Sequence, residues 1–151
     1  MTALELLERC RKYPAEKAEI NERIWRWRDS LDRLGMQLRP NGGSHGSGSG
    51  DRMTAVMAAI DELERALQKR DREYTAETLA VNRLLEGLPG LEAAIMARYY
   101  LDGMTLSAIA QAMGYSYGYV RVRKAEACSR LALISPQKIM TLLPAWYIEN
   151  M

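Results

Sequence analysis

The stretch Thr105–Leu131 reads TLSAIAQAMGYSYGYVRVRKAEACSRL, and its spacing decides the fold. Leu106, Ile109, Ala110 and Met113 fall on one face of a first helix. Ala110 is small where a second helix must approach closely. Gly114 follows four residues later, where a sharp turn favours a residue tolerant of positive φ. Ser116 then N-caps a second helix, whose Val120 points back towards Ile109 and Ala110. Each residue type has a mechanical reason for its position, so the stretch predicts a helix-turn-helix.

The second helix of the pair is basic. Between Ser116 and Leu131, Arg121, Arg123, Lys124 and Arg130 stand against the single acid Glu126. A basic helix presented in this way suits the major groove of DNA and its flanking phosphates. Tyr117, Gly118 and Tyr119 occupy its first turn, the part that reaches base edges: tyrosine hydroxyls bond phosphates or bases, and Gly118 permits close backbone approach. The whole chain of 151 residues carries a formal charge of only +2. Residues 1–39 hold nine basic side chains against seven acidic, 40–87 six against eight, and 88–151 six against four. An acidic-leaning middle thus masks a basic reader.

Outward from this pair the pattern stays helical, with no alternation of the kind strands require. Leu91–Leu101 supplies a third short helix before the pair, ended by Asp102-Gly103; the pair itself occupies Thr105–Met113 and Ser116–Leu133. Upstream lie two long helices. The first carries a seam at Leu6, Cys10, Tyr13, Lys17, Ile20, Ile24, Trp27, Leu31, Leu34 and Leu38, and the second at Met53, Val56, Ile60, Leu63, Leu67, Arg70, Tyr74, Glu77, Val81, Leu84 and Leu88. Steps of alternately three and four residues are coiled-coil spacing, interrupted in the second seam by Arg70 and Glu77. Pro14 is expected to divide the first run into two nearly collinear helices. Asp51 is expected to N-cap the second, and Gly87 and Pro89 to stop it. Between them, residues 40–50 form a Gly/Ser loop by composition. Two helices of about 35 residues, each about 50 Å long, are expected to fold back as an antiparallel hairpin, with pairing between two chains as a homodimer the alternative. The expectation is therefore an all-α chain: a helical hairpin arm over 1–87, a helix-turn-helix domain over 88–133 and an apolar tail over 134–151. In that tail Ile139, Met140, Leu142, Leu143, Trp146, Tyr147 and Ile148 cluster, and read as a lid packed on the domain or the hairpin.

Composition excludes several classes. With 48% hydrophobic and 26% charged residues the chain is neither collagenous, low-complexity nor disulfide-stapled. No apolar run reaches the roughly 20 residues of a membrane helix, and Glu5, Glu8 and Arg9 interrupt any signal peptide. Cys10 and Cys128 read as thiols of a reducing cytoplasm. With the lone His45 they are too few for a closed zinc site, so no metal and no cofactor is expected. The glycine-rich loop lacks the Gly-Lys-Ser/Thr of a Walker loop and the strand before a dinucleotide fingerprint. Nucleophilic catalysis lacks a base, since the one histidine lies in that loop, and an enzyme is not expected. Trp27 lies on the seam and is expected to pack in the core, whereas Trp25 lies off it and marks a partner surface among Arg23, Arg26 and Arg28.

The run AIMARYYLDGMTLSAIAQAMGYS, residues 94–116, followed by a basic helix ending Ala-Cys-Ser-Arg-Leu, resembles region 4 of the sigma-70 family. More closely, the block looks like phage transcriptional regulators of the RinA/ArpU type, over residues of about 88 to 132; the long arms match only in being helical. The resemblance implies binding to double-stranded promoter DNA and activation of phage late genes beside the host RNA polymerase. By position, Arg121 matches an arginine of the family's DNA-reading helix. Tyr117, Gly118 and Val122 fall where sigma factors have polar readers, and Arg123 falls where the family has an aliphatic residue. The expected DNA-contacting set is Ser116, Tyr117, Gly118, Tyr119, Arg121, Val122, Arg123, Lys124 and Arg130. No segment for melting the −10 element precedes the block, so a complete sigma factor is not expected. The alternatives are a DNA-packaging recognition subunit like a small terminase, and a coiled-coil adaptor that binds no DNA.

Overall fold

The computed structural model describes residues 1–37 and 48–151, and the described residues are helical, with no strand among them. Two long helices, α1 (Ala3–Gln37) and α2 (Gly48–Glu86), precede α3 (Gly90–Tyr100), α4 (Leu106–Met113) and α5 (Tyr117–Ala132). The expected tail is helical too, as α6 (Pro136–Leu142) and α7 (Ala145–Glu149). The first turn of α1 is secured by a reciprocal cap: Thr2 N–H donates to Glu5 Oε2 at 2.9 Å and Glu5 N–H to Thr2 Oγ1 at 3.2 Å.

Two local expectations are corrected. Pro14 does not divide α1, which runs through it unbroken. Its missing N–H removes one helical hydrogen bond and its ring crowds the carbonyl one turn earlier, a local cost that the turns on either side of a 35-residue helix carry. Asp51 is not the N-cap of α2, because the helix already begins at Gly48. The carboxylate sits in the first turn, where it still faces the positive end of the helix dipole. Most of the expected Gly/Ser loop, with His45, and the last seam residue, Leu38, lie outside the described residues.

Packing divides the chain into two compact units, Pro14–Asp71 and Met1–Tyr13 with Arg72–Met151. In the unit Pro14–Asp71, two antiparallel helical segments share a narrow core of Ile24, Val56 and Ile60, flanked by Ile20, Leu31, Leu34, Leu63 and Leu67. The antiparallel order is visible in the ion pairs that border it, Arg70 Nε to Glu16 at 2.8 Å and Arg28 Nη2 to Glu64 at 2.5 Å. Arg70 therefore interrupts the apolar seam without leaving a buried charge uncompensated. Trp27, expected in the core, is 40% exposed, and Trp25 is 66% exposed. Two helices cover only a narrow stripe between them, too narrow for an indole at its margin.

The other unit holds the larger core. Leu6, Leu7 and Cys10 of α1 meet Ala80, Val81 and Leu84 of α2, Met96 and Tyr100 of α3, Ala127 and Leu131 of α5, and Ile139, Leu143 and Tyr147 of the last helices. The C-terminal apolar cluster is thus part of the core. At its centre Glu77 of α2 has no exposed surface. Its Oε1 accepts from Arg9 Nε and from the Tyr147 hydroxyl, both at 2.6 Å, while Arg9 Nη2 reaches Glu73 at 3.1 Å. Burial, then the bond to Glu77, pushes the Tyr147 phenol above its ordinary range. Tyr100 is displaced in the same direction, by burial first and then by Cys128, whose sulfur lies 3.9 Å from its hydroxyl.

Removing the shared acceptor strands a buried hydroxyl and opens space, so Glu77→Ala should destabilise the chain by about 2–4 kcal/mol. Tyr147→Phe, which removes one hydrogen bond, should cost about 1 kcal/mol. Urea unfolding measures both; equal, negligible losses would contradict the network. The raised phenols also set a pH dependence. Their contribution is fully present below the unfolded phenol value of about 10 and is lost as pH rises through the higher folded values. The urea midpoint should therefore fall above about pH 10, and fall less in the Tyr100→Phe/Tyr147→Phe double variant than in the parent.

Candidate nucleic-acid interface

The helix-turn-helix is assembled by local capping and one small core. Thr105 N-caps α4, its hydroxyl accepting from Ala108 N–H at 3.1 Å. Gly114 ends that helix with φ of 74°, in the left-handed region that favours glycine, and Tyr115 N–H closes the turn on Ala110 O at 3.0 Å. Ser116 caps α5 by accepting from Tyr119 N–H at 3.2 Å. Ile95, Ile109, Ala110 and Val120 are all buried and pack together, with Leu106 and Met113 against them. The roles read from the sequence for Ala110, Gly114, Ser116 and Val120 are those found here.

The 3.6-residue period of α5 then sorts the expected contact residues onto different faces. Tyr117, Gly118, Arg121 and Val122 are exposed. Val120, Ala127 and Leu131 are buried. Lys124 lies over the α3 aromatics, its Nζ 4.5 Å from the Tyr99 ring centre and 5.4 Å from that of Tyr100. Arg130 donates to Glu92 at 3.0 Å, compensating a carboxylate that is only 2% exposed. Tyr119 is partly buried and stacks on Tyr115 with ring centres 4.8 Å apart. Arg123 lies 5.0 Å from the Tyr119 ring centre and donates to Glu126 at 3.0 Å. An arginine at this position therefore displaces nothing from the core, which Val120 and Ala127 fill. Of the four basic side chains of α5, Arg121 is the one that makes no ion pair or ring contact among the described residues.

One contributor gave no signal in the sequence. Arg11 of α1 donates to the carbonyls of Tyr99 and of Met104, the latter at 3.4 Å, and its guanidinium lies 3.7 Å from the Tyr99 ring centre. It neutralises the carbonyl end of α3 and braces the link into α4. Beside it, Thr105, Ser107 and Tyr117 line a shallow groove at the start of α4 and α5. Hydroxyls and one guanidinium at two helix N-termini suit phosphate oxygens.

Residues 84–132 match the family model of sigma-70 region 4, a non-enzymatic DNA-binding helix-turn-helix module whose members also interact with RNA polymerase. No curated protein and no solved structure matches the chain. The match spans the last turn of α2 and the whole of α3 to α5, so the resemblance read from the sequence holds for this block as a sigma-70 region 4 helix-turn-helix.

Proposed function

We propose that this chain is a sequence-specific DNA-binding transcription regulator. In this reading α5 enters the major groove, with Tyr117, Gly118, Arg121 and Val122 at the bases and Arg123 at a flanking phosphate. Lys124 and Arg130 hold α5 against α3. The observation that carries the reading is Arg121, exposed and without an ion pair or ring contact among the described residues, on a helix whose Val120, Ala127 and Leu131 are fixed in the core. Nearby, Ser116, Thr105 and Ser107 offer hydroxyls and N-terminal N–H groups to the backbone on either side of the groove. The finer role is a phage late-gene activator of the RinA/ArpU type, working in the bacterial cytoplasm beside the host RNA polymerase. What supports this is the region 4 match, together with long helices outside it that leave Trp25 and Trp27 exposed.

Anisotropy of a labelled 30-base-pair duplex at low salt tests the reading. Arg121→Ala should weaken binding by about 1–3 kcal/mol if it reads a base, or lower the salt slope by about one unit if it holds a phosphate. Arg130→Ala should instead lower thermal stability, by stranding Glu92, with little change in affinity. Unchanged affinity and slope for Arg121→Ala, or no binding by the parent chain at low salt, would overturn the proposal.

A further inference from the structure

Outside the region 4 block, a cleft of about 550 Å³ opens between the C-terminal part of α2 and the turn from α6 into α7. Its α2 wall is a stripe three turns long, Arg72, Ala76, Leu79 and Arg83 with Thr75 beside them, and its other wall is mostly apolar, Leu142, Pro144 and Trp146 with Thr141. Leu79 is 62% exposed. A lone exposed leucine is ordinary, but this one forms part of a concave apolar surface. The Arg72 guanidinium lies 4.0 Å from the centre of the Trp146 ring, and neither Arg72 nor Arg83 makes an ion pair among the described residues. Among the described residues no carboxylate lines the cleft.

The arrangement is an apolar trough with a cation at each end. The two arginines are eleven positions apart on the helix, about 16 Å along the axis. The complementary object is a segment of about three helical turns with apolar side chains on one face and carboxylates at both ends. A nucleic-acid backbone fits poorly, because its phosphates would meet leucine, proline and tryptophan between the two guanidinium groups. We infer that this cleft docks an acidic amphipathic helix of a partner protein. The site is independent of the DNA-reading face, and α2 anchors it in the same core.

Panning a random 15-residue peptide library on the full chain tests the inference, with anisotropy of the enriched peptides as readout. Enriched sequences should combine apolar residues at helical spacing with Asp or Glu near both ends. Leu79→Asp should weaken them at least about tenfold. The Arg72→Glu/Arg83→Glu variant should lose them and accept versions carrying Lys in place of the acids. Leu79, Arg72 and Arg83 are exposed, so thermal melting should show these variants folded. Arg121→Ala should leave peptide binding unchanged, which separates this site from the DNA-reading proposal. No acidic enrichment, or peptides that bind Leu79→Asp as well as the parent, would overturn the inference. So would duplex DNA whose affinity falls when Arg72 and Arg83 are reversed.

Discussion

The larger unit depends on a carboxylate that water cannot reach. A buried charge is tolerated only when partners surround it, and Glu77 finds them in Arg9, near the start of the chain, and Tyr147, near its end. Satisfying that one group draws the first turns of α1 and the last helix onto α2. The apolar core that closes around it includes Met96, Tyr100, Ala127 and Leu131, so α3 and α5 are attached to the same frame. The buried side of α5 is thereby committed, and the side left to solvent is the one that carries Tyr117 and Arg121. Stability and presentation come from the same packing.

Charge on the reader needs the same physical sorting. A net charge of +2 averages segments with opposite tendencies, and the four basic residues of α5 are themselves not equivalent. Arg130 compensates Glu92, Arg123 is bonded to Glu126, and Lys124 rests on aromatic rings. Each holds structure as well as charge. Arg121 is the residue left to act outward, so counting basic residues on a helix overstates the charge available to a ligand.

Much of this was legible in the sequence because it is local. The cap at Ser116, the left-handed turn at Gly114 and the packing of Val120 on Ile109 and Ala110 follow from side-chain spacing within 20 residues. The second seam was legible in full, including its two charges: Arg70 and Glu77 sit at apolar positions, and burial then requires counter-charges. What spacing could not supply was the partner of each charge. Arg11 on the carbonyls of Tyr99 and Met104, and Arg9 with Tyr147 on Glu77, join residues many tens of positions apart with no local pattern to announce them. Trp27 and Pro14 failed for another reason. Periodicity says which face a residue occupies, but not how wide a side chain a two-helix core can cover, nor whether the flanking turns will carry a helix through a proline.

In the proposed function the outward face of α5 reads sequence in duplex DNA. The most direct measurement is selection of bound duplexes from a fully randomised pool by the full chain, followed by sequencing. The account predicts enrichment of one short recurring motif, a few base pairs wide, as a single recognition helix in the major groove would select. A pool that emerges with its composition unchanged after repeated rounds at low salt would contradict it.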